Sequence, residues 1–301
     1  MTHIRDYPTV RARQIKLPEP RRLLGYALRY AVALILILFA VIPALWVVSA
    51  SLNPAKSLIG GTFFPQNPGL SNYQELVTNE FFPYLTWLLN SIKIATITTI
   101  LTVFLTCLAG YTLSRFRFKG RRAFMTAILV LNVFPSILAM VAIFSMLQQL
   151  GLYVEALGLD THTALICIYV AGSMGINVLL VKAYIDSIPL ELDESALVDG
   201  ATPWQTFRHI ILPIMTPIVI TIGVLTFIAA YGDFVIARVL LKSADNLTVM
   251  VGLQLFQTDR FDRDFGMITA GAVLAAIPII LIYIPLQKYV IDGLTAGSVK
   301  G

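Results

Sequence analysis

The side chains best placed to do chemistry are five carboxylates, Asp186, Glu191, Asp193, Glu194 and Asp199, crowded in and beside residues 188–213. This is the one long polar, acid-rich segment lying between two strongly apolar ones, and a single arginine, Arg208, faces the acids before the apolar sequence resumes. The chemistry on offer is recognition. A carboxylate on a short helix accepts charge-assisted hydrogen bonds from a basic partner, each worth about 1.5–3 kcal/mol. Catalysis is not legible: no nucleophile–base arrangement or pair of pocketed carboxylates stands out, so no catalytic, cofactor-binding or metal-binding residue is nominated. The three histidines are scattered, and Cys107 and Cys167 each sit inside an apolar run, where they read as small buried hydrophobes.

Local sequence chemistry predicts two short helices meeting at a sharp corner. Pro189 suits a first helical turn, and Glu191, Asp193 and Glu194 complement the positive end of the helix dipole. Gly200 stands where a left-handed residue closes a helix. Thr202 with Gln205 three residues on forms a capping box, and Pro203 takes the first position of the second helix. That helix runs directly into apolar sequence at Ile210.

The elements that position this bracket lie within a membrane. The chain is 57% apolar and 13% charged, against about 25% charged in soluble domains. Uncharged runs at 30–50, 94–114, 123–150, 163–181, 210–232 and 266–287 predict six transmembrane helices in an all-α polytopic membrane protein. Aromatic residues Phe81, Phe82, Tyr84 and Trp87 read as a membrane-interface belt. The stretches 1–22, 115–122, 182–209 and 288–301 hold fifteen basic residues, and the opposite connectors hold four. The positive-inside rule therefore puts both termini and the acidic bracket in the cytoplasm, with 51–82, 151–162 and 241–265 outside. The net charge of +5 is a topology signal, and no nucleic-acid motif accompanies it.

Within the spans, Thr98, Thr102 and Thr106 recur every four residues, which predicts a close-packing face. Asn132, Asn177 and Asp233 are polar at membrane depth, where such groups face a bundle interior or a water-filled cavity; Arg238 is a nearby partner for Asp233. The long connector from Lys242 to Phe265 is read as a polar outer loop. The chain divides into a basic N-terminal segment (1–22), a six-span domain (23–289, with its core at about 84–289 and the bracket at 188–212) and a tail (290–301). There is no Gly-Lys dipeptide, hence no Walker A phosphate cradle and no expected ATP hydrolysis by this chain.

Glu194-Ser195-Ala196, three residues, Gly200, nine residues, then Ile210-Ile211-Leu212-Pro213 resembles the EAA signature of bacterial ABC importer permeases. Ser195 in place of the middle alanine is the one departure. Residues 89–93, Phe134-Pro135-Ser136, 197–205 and the tail 293–301 resemble the carbohydrate-importer branch, maltose/maltodextrin type. The resemblance implies a type I importer (MetI-like) permease fold in a bacterial inner membrane. It implies four kinds of partner: a second homologous permease, an ATPase homodimer in the cytoplasm using ATP and Mg, an extracytoplasmic sugar-binding protein, and the lipid bilayer. Nucleic acid is not among them, and this chain binds no cofactor of its own. The implied ATPase-coupling residues are Glu194, Ser195, Ala196, Asp199, Gly200, Pro203, Leu212 and Pro213, and the implied binding-protein contacts are Gln254, Gln257, Asp259 and Arg260. No sugar ligand is nominated. A secondary carrier or channel for a small polar solute, or an importer for another sugar such as trehalose, is the competing expectation.

Overall fold

The computed structural model describes residues 20–54, 63–133, 136–258 and 264–295, in two units that divide after Val47. Among the described residues every regular element is helical. The first unit holds most of α1 (Pro20–Ser51), whose side chains from Tyr26 to Trp46 are largely exposed and apolar. An apolar helix that buries so little of itself requires lipid or another chain around it.

In the second unit, α2 (Ser71–Thr78) leads to the central helix α3 (Tyr84–Arg115), which packs along α6 (His162–Asp186) and α10 (Thr216–Gly232). The last long helix, α13 (Phe265–Thr295), lies against α10. The threonine stripe on α3 is fully buried at Thr98, Thr102 and Thr106, as its four-residue spacing predicts. One turn further, a Cβ on Gly110 would stand 2.4 Å from Val181 Cγ1, so only glycine lets α3 and α6 approach this closely.

Among the described residues, four helices are individually long and apolar enough to cross a membrane. Two of the six predicted spans differ from single helices. The run 123–150 divides into α4 (Arg121–Val133), a 3₁₀ turn (Ser136–Ala139) and α5 (Met140–Leu150). The run 210–232 belongs to a pair of helical stretches, Pro203–Ile214 and Thr216–Gly232, bent by 76°.

At the end of the bundle away from the bracket, the structure corrects two sequence expectations. Tyr84 and Trp87 are 1% and 0% exposed, so they are core residues and not an interface belt. Their polar tips donate inward, Tyr84 Oη to Gly271 O (2.7 Å) and Trp87 Nε1 to Ala244 O (2.7 Å). The connector beyond Lys242 is likewise no polar loop throughout. Downstream of α11 (Val235–Leu240) it contains the buried helix α12 (Val249–Thr258). Val249, Val251, Leu253 and Phe256 are buried, and Gly252 lies flat on the Trp87 ring, where a Cβ would come within 2.0 Å.

A set of hydrogen bonds fixes the entrance to α12. Asn90 Nδ2 donates to Asp245 O (2.7 Å) and Leu247 O (3.1 Å), while Ser91 Oγ accepts from Val249 N (2.8 Å). Asp160, in the left-handed region at φ 63°, accepts through Oδ1 from Lys242 N (2.8 Å) and Ser243 N (3.0 Å), and its Oδ2 accepts from the Ser243 hydroxyl. Burial alone would raise the Asp160 carboxyl, but these hydrogen bonds outweigh it and hold the group below its ordinary value. Asp233 is similarly committed: its Oδ1 accepts from Tyr169 Oη (2.7 Å) and from the N–H groups of Ile236 and Ala237, in place of the expected pairing with Arg238. Cys167 is exposed, against the expectation that both cysteines are buried.

Candidate coupling site

The acidic bracket folds as its local chemistry dictates. Helix α7 (Glu191–Val198) carries Glu191, Asp193 and Glu194 in its first turn. It closes in a Schellman motif: Gly200 N donates to Leu197 O (3.0 Å) and Ala201 N donates to Ala196 O (2.9 Å). Gly200 has φ 81°, with nothing within 4 Å of where a Cβ would stand. The requirement for glycine here is therefore conformational and not steric crowding.

Helix α8 (Pro203–Thr206) then starts at the capping box, with Thr202 N donating to Gln205 Oε1 (2.7 Å) and Gln205 N to Thr202 Oγ1 (3.3 Å). The chain continues as a π-helical turn (Phe207–Ile211) into α9 (Leu212–Ile214). Two prolines explain this irregular stretch. Pro213 has no N–H to offer the carbonyl four residues back, and the turn before it widens so that Leu212 N donates to Phe207 O. Pro217 leaves the carbonyl of Pro213 without its helical donor, and the Thr216 hydroxyl takes that carbonyl at 2.7 Å. The 76° bend falls between these prolines.

The inner face of the bracket is anchored to the bundle. Phe207, Ile211 and Met215 are buried with Cys107, Tyr111, Val181 and Ile185. The Tyr111 and Phe207 rings lie 5.0 Å apart, and Ala196 is 4% exposed. Arg115, the last residue of α3, pairs through Nε with Asp193 Oδ2 at 2.9 Å and donates from Nη2 to Ile188 O at 3.0 Å. Ser114 Oγ donates to Asp186 Oδ1 (2.6 Å), and Lys182 forms an ion pair with the same carboxylate. These contacts tie the corner and its helices to the bundle.

The outer face is exposed and mixes apolar with acidic groups. Leu197, Val198 and Trp204 are 58%, 87% and 52% exposed, with Glu191, Glu194 and Asp199 exposed among them. Large apolar groups thus stand outside the apolar spans, rimmed by carboxylates. Of the coupling residues read from sequence, Glu194, Ser195, Asp199, Gly200 and Pro203 lie on this outer face; Ala196 packs inward; Leu212 and Pro213 lie on the connection to α10. Sequence reasoning missed Arg115 and Tyr111. Arg115 is legible there only as one basic group among five in its connector.

Of the binding-protein contacts read from sequence, Gln254 lies half-buried on α12. The Gln257 side chain, Asp259 and Arg260 lie outside the described residues.

Long apolar helices, with an acid-rimmed bracket fixed to the end of one of them, define a polytopic membrane protein. The chain belongs to the family described as binding-protein-dependent transport system inner membrane component, whose family model matches residues 102–294. It is 38% identical over 274 residues to the maltose/maltodextrin transport system permease protein MalG of Vibrio vulnificus (strain YJ016), covering 87% of this chain and 91% of that one. It is 36% identical over 282 residues to the galactooligosaccharides transport system permease protein GanQ of Bacillus subtilis (strain 168), covering 93% and 98%. MalG of Escherichia coli (strain K12) is 37% identical over 225 residues, 75% of each chain. Among solved structures, a bacterial ABC transporter involved in the import of the acidic polysaccharide alginate contains a chain with TM-score 0.77 and 24% identity, covering 91% of this chain and 98% of that one. At that identity the likeness concerns the fold alone.

Proposed function

We propose that this chain is the permease subunit of an ATP-driven importer for maltose/maltodextrin-like oligosaccharides, acting beside a second homologous permease and two copies of a cytoplasmic ATPase. The observation that carries the reading is the bracket: anchored on its inner face by Arg115 and Phe207, and exposing Leu197, Val198 and Trp204 on its outer one. ATP and Mg are used by the ATPase. Its closure carries the docked bracket, and the bend at 213–217 passes that motion to α10. The spans then turn their cavity toward a sugar-loaded binding protein outside, and hydrolysis reverses the cycle. Both termini and the bracket lie on the cytoplasmic side, following the fifteen-to-four distribution of basic residues.

Glu194, Ser195, Asp199, Gly200 and Pro203 form the docking face, while Leu212 and Pro213 form the elbow. Gln254, Gln257, Asp259 and Arg260 belong to the segment that meets the binding protein. The test is uptake by the complete transporter in proteoliposomes, with maltose, maltodextrins and galactooligosaccharides offered through the cognate binding protein. ATP-dependent uptake of α-linked glucosides is the expected result. Uptake without ATP, or of none of these sugars, would overturn the reading.

A further inference from the structure

An apolar groove runs between α3 and α10 and ends at the bracket. Its larger part, about 540 Å³, is lined by Ile100, Val103, Phe104, Phe207 and Leu212, with Trp204 and Arg208 contributed by the bracket. A second hollow of about 270 Å³ reaches Phe227 and Leu286, and it shares Thr99, Ile100 and Gly223 with the first, so the two are continuous. Ile100 and Phe104 are 62% and 55% exposed along it, and the Thr99 hydroxyl donates to Ala95 O (2.7 Å) within α3.

The groove has the length of one leaflet. Its α3 wall runs from Thr96 to Cys107, about 16 Å of helix, and a hydrocarbon core is about 30 Å thick. A spanning helix needs the full thickness, whereas a lipid acyl chain needs half. The charge at the bracket end fits a lipid as well. Arg208 is the only charged side chain among the described residues lining the groove, and it stands two residues before the apolar run 210–232. It is exposed and unpaired among the described residues, because Asp193 and Asp186 pair with Arg115 and Lys182 instead. Trp204 lies beside it at the same end, and an indole with one apolar and one polar edge suits headgroup depth. A cation at the mouth of an apolar cleft between membrane helices selects an anionic headgroup.

We infer that this groove holds an acyl chain of an anionic phospholipid from the leaflet on the bracket's side, with the headgroup phosphate at Arg208. The bound chain lies against Phe207 and Leu212, the same residues that carry the bracket into α10, and so braces the bend from the lipid side. The inference requires that the chain spans a membrane and does not depend on which solute is carried.

The test uses the complete transporter in detergent, equilibrated with equal amounts of phosphatidylglycerol and phosphatidylcholine of one chain length. After repurification, retained lipid is quantified by mass spectrometry. The wild type is expected to retain phosphatidylglycerol over phosphatidylcholine by about fivefold, and Arg208→Ala to bring the ratio close to one. Arg208→Lys keeps the charge and should keep most of the preference. Should Arg208→Ala assemble poorly, Arg208→Gln removes the charge and retains a long polar side chain. Ile100→Trp adds bulk at an exposed position and should lower the retained phosphatidylglycerol with Arg208 intact. An equal ratio in the wild type and Arg208→Ala would overturn the inference. So would a photoreactive side chain at position 100 that crosslinks to another subunit in place of lipid, since a protein helix would then fill the groove.

Discussion

Arg115 Nε lies 2.9 Å from Asp193 Oδ2, and the two side chains are only 8% and 14% exposed. The pair ties the end of α3 to the first turn of α7, joining a long apolar helix to the bracket through charges shielded from salt. Removing one partner leaves the other's charge largely buried without its counter-ion, a cost of about 1–3 kcal/mol. Arg115→Ala or Asp193→Asn should leave ATP hydrolysis largely intact while lowering the sugar moved per ATP. The ratio of uptake to hydrolysis in proteoliposomes measures this, and an unchanged ratio would remove the pair from the coupling path.

Gly200 makes a sharper case, because its φ of 81° meets no neighbour within 4 Å. Substitution therefore tests backbone preference alone. Gly200→Val should cost roughly 1–2 kcal/mol of corner strain and tilt α8. Gly200→Asn, which visits the left-handed region readily, should retain most uptake. Equal loss in both variants would point to the docking surface and away from the corner's geometry.

At the opposite end, Asp160 holds the entrance to α12 through Lys242 and Ser243. Its folded value is lowered from 3.8, so the stability it adds is fully present above that pH and fades only as pH falls through the lower value. Hydrogen exchange at residues 242–249 should therefore be flat between about pH 5 and 7 once intrinsic rates are removed. Asp160→Ala should speed exchange there at every pH; Asp160→Asn, which tolerates the positive φ, should do so less. Protection in Asp160→Ala equal to wild type would show that the clasp is held by other groups.

Orientation is testable at two positions of equal exposure. Tyr153 and Val198 are each 87% exposed, on opposite sides of the bundle in the sequence-based topology. In intact cells an impermeant thiol reagent should label Cys at 153 and spare Cys at 198, in a background lacking Cys107 and Cys167. The reverse pattern would invert the topology.

Much of the bracket is legible in the sequence because its signals are local. The capping box at Thr202 and Gln205, the proline at 203 and the left-handed glycine at 200 are each decided within a few residues of sequence. What the sequence obscures depends on tertiary partners. Tyr84 and Trp87 carry the composition of an interface belt, and only their acceptors on Gly271 and Ala244 make them core. The polar residues between 242 and 265 conceal α12, although 249–256 contains a single glutamine and no charge. Its burial depends on Gly252 fitting the Trp87 ring, a contact between residues far apart in the chain. Arg115 is hidden for another reason: a basic residue at a span's end reads equally well as a topology signal or as half of an ion pair.

The central claim is that the outer face of the bracket docks on the ATPase and transmits its closure. Glu194 tests it directly, being exposed and on the first turn of α7. Glu194→Lys reverses the charge without touching the inner anchors. Co-purification of the ATPase subunit with the membrane subunits, measured beside sugar uptake, is the decisive assay. Docking through this face predicts normal insertion of the variant chain, with uptake strongly reduced and ATPase recovery lowered. Full uptake with a full complement of ATPase would contradict it.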